Sequence, residues 1–205
     1  MTLAIDPDPD QLLRLARAGD GAALGRLLDQ FRNYLTLLAR LQISRRLQSK
    51  VDAQDLVQET FLKAHRNFEQ FRGSTEAELA GWLRQILATS VANVVRHYHG
   101  TQGRDIALEC ELADELNRSS QAWNMGLIAK QSSPSQRAAR REEAVRLANA
   151  LARLPEDYGE VIILRHLQAL PFAEVARRMG RSVDSVEKLW VRALARLRRL
   201  LGGAS

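Results

Sequence analysis

The chain has 205 residues, with 30 Lys and Arg against 24 Asp and Glu, a formal net charge of +6, and 45% hydrophobic and 26% charged residues. This is the composition of one large or two small globular domains, with a charge that suits a polyanion or an anionic membrane surface. No apolar run approaches the roughly 18 residues that a membrane span needs, so stable membrane insertion is not expected. The amino terminus, with Asp6, Asp8 and Asp10, has neither the basic start nor the apolar stretch of a signal peptide, which predicts a cytoplasmic protein. Cys110 stands alone, which excludes an intramolecular disulfide and a cysteine-rich zinc site. His65, His97, His99 and His166 show no metal-ligand spacing beyond the His97/His99 pair, read as a helix-end surface feature. No metal and no cofactor are expected.

Residues 1–9 read as an acidic tail. From there nearly every segment has helical periodicity. Leu24, Leu27, Leu28, Phe31, Tyr34, Leu35, Leu38 and Leu41 follow the i, i+3, i+4 spacing of a buried stripe. A polar break at 44–50 follows. Asp52 has the position of an N-cap, with Asp55 in the positive first turn of its helix. That helix runs to about Phe68 and should bury Leu56, Val57, Thr60, Phe61 and Ala64. After a loop at 72–76, a helix from about Leu79 to His97 should bury Leu79, Trp82, Leu83, Ile86, Leu87, Val91, Val94 and Val95. No convincing strand pattern appears.

Composition changes near Gly100. Residues 101 to about 137 contain Gly103, Ser119, Ser120, Ser132, Ser133 and Pro134, and begin acidic with Asp105, Glu109, Glu111, Asp114 and Glu115. Long loops inside compact domains are uncommon, so this stretch reads as a flexible linker. Helical patterning resumes near Arg140, with Leu147, Ala150, Leu151 and Leu154 ahead of Pro155. A further helix carries Val161, Ile162, Leu164 and Leu167. The expected architecture is all-α: helical domains at 10–100 and 141–201, joined by the linker at 101–140.

The segment after Pro171 has the parts of a helix-turn-helix in register. Ala176 is small where two helices cross. Gly180 stands where the turn requires positive φ. Val183, Val186 and Trp190 recur at helical spacing and should seat the second helix on the first. Between Arg177 and Arg199 lie eight Lys/Arg against Asp184 and Glu187. This pattern makes DNA the first partner to consider, with a plain helical hairpin bearing a solvated basic face as the bland alternative.

The string Asp52-Ala-Gln-Asp-Leu-Val-Gln-Glu-Thr-Phe-Leu-Lys-Ala-His65, followed by Phe68-Glu-Gln-Phe-Arg-Gly73 and Trp82-Leu83, resembles the core-binding and promoter-melting segment of bacterial sigma factors. With the helix-turn-helix, the resemblance covers about residues 12–100 and 141–200, in the right order. It is to the small two-domain class of the sigma-70 superfamily, the extracytoplasmic-function (ECF) type.

The resemblance implies roles for matching positions. Asp55, Gln58 and Glu59 would bind the β′ coiled coil of core RNA polymerase, with the β subunit as a further partner surface. Gln85, Thr89, Asn93 and Arg96 would handle the −10 promoter element, three as base-reading groups and Arg96 on phosphate. A base flipped from the non-template strand would enter a pocket roofed by the loop from Arg72 to Gly81. Phe71 and Trp82 lie near it, and Trp82 sits on the apolar stripe. The loop carries Glu76 and Glu78, a departure from the usual pattern. Arg181, Ser185, Glu187, Lys188 and Arg192 would meet the −35 element in the major groove. Glu187 and Leu189 stand where many members carry basic residues. Arg177, Arg178, Arg196, Arg198 and Arg199 are further phosphate-contact candidates. The acidic linker would thread a polymerase channel, or be acidic only for solubility.

The implied partners are thus core RNA polymerase, promoter DNA and an anti-sigma factor, with no small-molecule substrate. No nucleotide loop, nucleophile–base pair or carboxylate cluster suggests an enzyme. The alternative function is a stand-alone helix-turn-helix regulator that binds DNA without polymerase.

Overall fold

The computed structural model describes residues 8–46, 51–99, 106–127 and 134–202. Apart from the short turns and loops between elements these are helical, with no strand among the described residues. The chain divides into two compact units, Met1–Asn117 and Arg118–Ser205.

In the first unit, α1 (Pro9–Arg17) starts with Pro at its first position and Asp8 as N-cap. Helix α2 (Gly21–Gln30) is capped by Asp20, whose carboxylate accepts from the amides of Ala22 and Ala23 at 2.9 Å. The long leucine stripe is buried at every expected position, but it belongs to two helices. Phe31 forms a turn between α2 and α3 (Arg32–Arg46). Asp52 caps α4 (Ala53–Arg66) as expected, accepting from Gln54 N at 2.8 Å. Helix α4 then packs between α3 and α5 (Glu76–His99). Residues 47–50 of the expected polar break lie outside the described residues.

Leu56, Val57, Thr60 and Ala64 are buried, while Phe61 is half-buried beneath the Arg32 guanidinium at 5.2 Å. Along α5, Leu79, Leu83, Leu87, Val91 and Val95 are buried. Trp82, Ile86 and Val94 are only half-buried, because the expected stripe is wider than the surface covered.

The segment expected to be irregular departs most from the sequence reading. Ile106–Leu127 forms one helix, α6, and α7 begins at Pro134 rather than near Arg140. Leu112, Ala113 and Leu116 are buried. Acidic residues and serines, read as breakers, stand on a helix whose anchors are far away in sequence. Arg84, only 6% exposed, donates to Asn117 Oδ1 at 2.8 Å and to the Tyr34 hydroxyl at 2.9 Å, joining α6, α5 and α3.

The second unit contains α7 (Pro134–Ala152), α8 (Glu156–Ile162), α9 (Phe172–Met179) and α10 (Val183–Gly202). Helix α8 continues into a π-turn at Ile163–Leu167. The chain leaves that turn through Ala169 at φ 56°, a left-handed conformation uncommon outside glycine. The Arg165 guanidinium braces this exit, donating to Leu170 O at 3.1 Å and lying 4.8 Å from the Phe172 ring centroid. Pro171 is the N-cap of α9. Gly180 ends α9 at φ 63°, and the Arg181 amide donates back to Ala176 O at 3.0 Å, the bond of a Schellman C-cap. Ser182 then caps α10 through the Ser185 amide at 3.3 Å. The helix-turn-helix is therefore built as its sequence requires.

Candidate nucleic-acid interface

Three exposed surfaces carry the predicted residues. On α4, Asp55 and Gln58 are exposed. Glu59 ion-pairs with Lys63 at 2.6 Å, with the carboxylate side chain 42% exposed. Lys63 also donates to the buried Ser90 hydroxyl at 3.1 Å, tying this face to α5. Leu62, 52% exposed, falls on the same helical face as Asp55, Gln58 and Glu59. Sequence reading missed it because an apolar residue counts toward a core stripe until its neighbours are known.

On α5, Gln85, Thr89 and Asn93 lie one turn apart. Gln85 and Asn93 are exposed. Thr89 is half-buried and donates its hydroxyl to Gln85 O at 3.2 Å. The fourth predicted residue is placed differently. The Arg96 side chain is only 14% exposed; it pairs with Glu109 of α6 at 3.3 Å and donates to the Asn93 side-chain oxygen. Glu109 is itself 6% exposed. Arg96 is thus neutralised inside the fold rather than presented to solvent.

The loop before α5 is short and braced. Thr75 and Glu78 form a reciprocal capping box: the Thr75 amide donates to Glu78 Oε2 at 3.1 Å, and the Glu78 amide donates to Thr75 Oγ1 at 3.2 Å. The Ser74 amide adds a bond to the same carboxylate at 2.7 Å. These donors, led by the Ser74 amide, lower the Glu78 pKa below its ordinary value. Glu78, one of the two glutamates that depart from the family pattern, therefore closes the capping box with Thr75.

Phe71 packs on Trp82 at 5.2 Å and on Phe68 at 5.9 Å between ring centroids. Phe68 and Phe71 are buried and Trp82 is half-buried, so Trp82 completes an aromatic cluster. A Cβ on Gly73 would run into the Phe71 ring.

In the second unit, Val186, Leu189, Ala193 and Leu197 form the buried seam of α10. Val183, expected in that seam, is 42% exposed. Leu189, which stands where many members carry a basic residue, is buried. Trp190 is half-buried, stacked on His166 at 5.6 Å and edge-on to Phe172 at 5.5 Å. Burial lowers the His166 pKa below its ordinary value, with Arg165 adding to the effect.

The outward face of α10 presents Asp184, Glu187, Lys188, Val191 and Arg192; Ser185 is half-buried beside the cap. Lys188 pairs with Asp184 at 2.8 Å, with side chains 65% and 74% exposed. Arg181 pairs with Asp157 of α8 at 2.5 Å. Arg177 and Arg178 both hold Glu174, at 2.6 and 3.0 Å. Those guanidiniums, Arg177 first, bring the Glu174 pKa down to about 2. Arg192, Arg196 and Arg198 are exposed and have no ion-pair partner among the described residues. The uncompensated positive charge therefore sits in the second half of α10, beyond the helix-turn-helix itself.

Among the described residues no group of three or more His, Cys, Asp or Glu could hold a metal ion, and no helix is long and apolar enough to cross a membrane. Cys110 is exposed and free.

Comparison with known proteins separates the same two halves. Residues 30–101 match the family described as Sigma-70 region 2, and residues 144–197 match Sigma-70, region 4. The chain is 30% identical over 203 residues to the ECF RNA polymerase sigma factor BldN of Streptomyces coelicolor, covering 97% of this chain and 69% of that protein. It is 28% identical over 183 residues to the ECF RNA polymerase sigma-E factor of Haemophilus influenzae, covering 89% of each. A solved RsbN–BldN complex contains a chain 28% identical to this one, matched over 92% of this chain and 98% of that chain, with a TM-score of 0.32. Two region matches in their expected order, with a relative aligned along nearly the whole sequence, show that the chain belongs to the sigma-70 superfamily, as a sigma factor of the extracytoplasmic-function type.

Proposed function

We propose that this sigma factor docks on core RNA polymerase through the exposed α4 face, opens and reads the −10 element with α5 and the loop before it, and reads the −35 element with α10. The polymerase performs the chemistry; the chain supplies promoter choice and strand opening and catalyses nothing itself. The observation that carries this reading is the pair of exposed faces in one chain: Asp55, Gln58 and Glu59 on α4, and Glu187, Lys188 and Arg192 on α10.

The α4 face suits a rigid helical partner with basic and amide side chains. Charged and amide pairs of this kind set register and partner choice more than affinity. Leu62 adds an apolar contact on that face. On α5, Gln85 is exposed to meet bases, and Asn93 offers its side-chain amide while its oxygen accepts from Arg96. Arg96 reaches a phosphate only by leaving Glu109, so in the folded chain it acts first as an internal strut. Unstacking one base costs a few kcal/mol, which the loop and the adjoining α5 side chains must return on binding.

Groove recognition by α10 follows from its exposed face. Glu187 can accept from a cytosine amino group. Lys188 exchanges Asp184 for phosphate at little expense, since exposed ion pairs contribute only about 0–1 kcal/mol. Arg192, Arg196 and Arg199 continue the basic stripe over about 10 Å at 1.5 Å rise per residue, a distance that tracks the DNA backbone.

The test is reconstitution with core RNA polymerase on a promoter library, with transcript start sites mapped. Defined starts sharing two upstream elements are expected. Gln58→Ala combined with Glu59→Ala should weaken polymerase binding roughly tenfold or more, the loss of one or two charge-assisted hydrogen bonds, with the helical circular dichroism unchanged. Binding to an operator without polymerase, with no specific initiation, would instead establish the stand-alone regulator.

A further inference from the structure

Helix α1 lies outside both matched regions, which begin at residues 30 and 144, and nothing in the promoter-reading scheme uses it. Its last residue nevertheless reaches the loop before α5. The Arg17 guanidinium lies 5.9 Å from the Phe71 ring centroid and donates a hydrogen bond to the carbonyl of Gly73, 56 residues away. Three sets of contacts brace residues 71–75. Phe71 is packed against Phe68 and Trp82. Glu78 gathers the amides of Ser74 and Thr75. Both of those come from the local segment, whereas the Arg17 contact comes from another helix.

Gly73 is the point where this third contact matters most. No side chain fits there, because a Cβ would meet the Phe71 ring and, at 2.7 Å, Glu78 Cβ. The backbone at Gly73 therefore has no side chain of its own to anchor it, and its carbonyl is held from outside by Arg17. The planar guanidinium can face the ring and donate to the carbonyl together, a combination that a lysine ammonium does not reproduce.

We propose that Arg17 is a positioning residue for the −10 base pocket, holding the loop in its receiving conformation before DNA arrives. This rests on the reading that the loop forms that pocket. Without Arg17 the loop must be ordered when the base enters, and that entropy is charged against binding.

The test uses holoenzyme assembled from full-length protein and core polymerase. The probe is a fluorescent single-stranded oligonucleotide carrying the non-template −10 sequence of a mapped promoter, with an abasic site placed at each position in turn. In the wild type, one position should stand out as the pocketed base. Arg17→Ala should lower affinity for the intact oligonucleotide roughly tenfold, the scale of one lost hydrogen bond to a charged group. It should bind the oligonucleotide abasic at that position as the wild type does. Arg17→Lys should show the same loss, and Arg17→Gln serves if the alanine variant folds poorly.

An Arg17→Ala loss that persists on the abasic oligonucleotide would mean a phosphate contact or general damage, and would overturn the proposal. Full recovery by Arg17→Lys would assign the effect to charge alone, with the same consequence. A wild type indifferent to every abasic position would overturn the pocket reading itself, a result distinct from a base-dependent wild type that Arg17→Ala leaves unchanged.

Discussion

The two helices proposed to read the promoter hold their charges in opposite ways. On α5, Arg96 meets Glu109 in a pair whose side chains are 14% and 8% exposed, and Arg84 is buried between Tyr34 and Asn117. On α10, Lys188 and Asp184 are 65% and 74% exposed, and Arg192 projects into solvent. A surface pair breaks at little expense when a phosphate competes. A buried one does not, since removing either partner strands a desolvated charge. The first unit therefore uses Arg84 and Arg96 to fix α5 and α6, and on the proposed reading Gln85 and the Asn93 amide are the groups left to meet bases. The second unit keeps Lys188 in an exposed pair and Arg192 unpaired among the described residues, as the proposed reading of phosphate-lined duplex requires.

The sharpest way to break this contrast is Arg84→Ala. It removes the guanidinium donor from the Tyr34 hydroxyl and Asn117 Oδ1 and opens a void, for a loss of about 3 kcal/mol. Urea denaturation measures the loss, and amide exchange should place it in α3, α5 and α6. A loss under roughly 0.5 kcal/mol, the level of an ordinary surface substitution, would mean that α6 is not anchored through this residue.

A smaller effect is expected from pH in the second unit. The His166 pKa lies below its ordinary value of 6.5 in the folded chain, chiefly because the ring is desolvated against Trp190. Unfolding then takes up a proton. Stability of α8–α10 should fall as pH drops through 6.5 and level off below the folded-state pKa. Amide exchange of α10 at pH 7.5 and 5.5 checks this, and His166→Phe should remove that part of the dependence.

The smallest effect belongs to Asp184→Asn. Stability should change by no more than about 0.5 kcal/mol, while Lys188, released from its partner, should bind the −35 duplex more tightly. Equal affinity in both proteins would show that Lys188 does not face DNA.

Legibility in the sequence followed the range of the interactions. The Asp52 cap, Gly180, the stripe from Leu24 to Leu41 and the exposed carboxylates of α4 were readable because each depends on neighbours within a few residues. Val183 was expected in the seam that Leu189 fills instead, because an apolar residue at the edge of a helical stripe can face either way, and the crossing of α9 and α10 decides which. Helix α6 was misread as irregular because its acidic surface and serines resemble a linker until Arg84 and Arg96 arrive from α5. Arg17 was invisible for the same reason: nothing near it in the chain announces a loop 56 residues on.

By itself the sequence determined the all-helical class, the caps and turn of the helix-turn-helix, and the family to which the motifs point. Those properties arise from hydrogen bonds and periodicity inside single segments. Only the tertiary structure decided which cations are free. Whether Arg96 meets solvent or Glu109, and whether the loop before α5 is braced from α1, depends on which helices pack together, and distant carboxylates and guanidiniums find one another only after that packing exists.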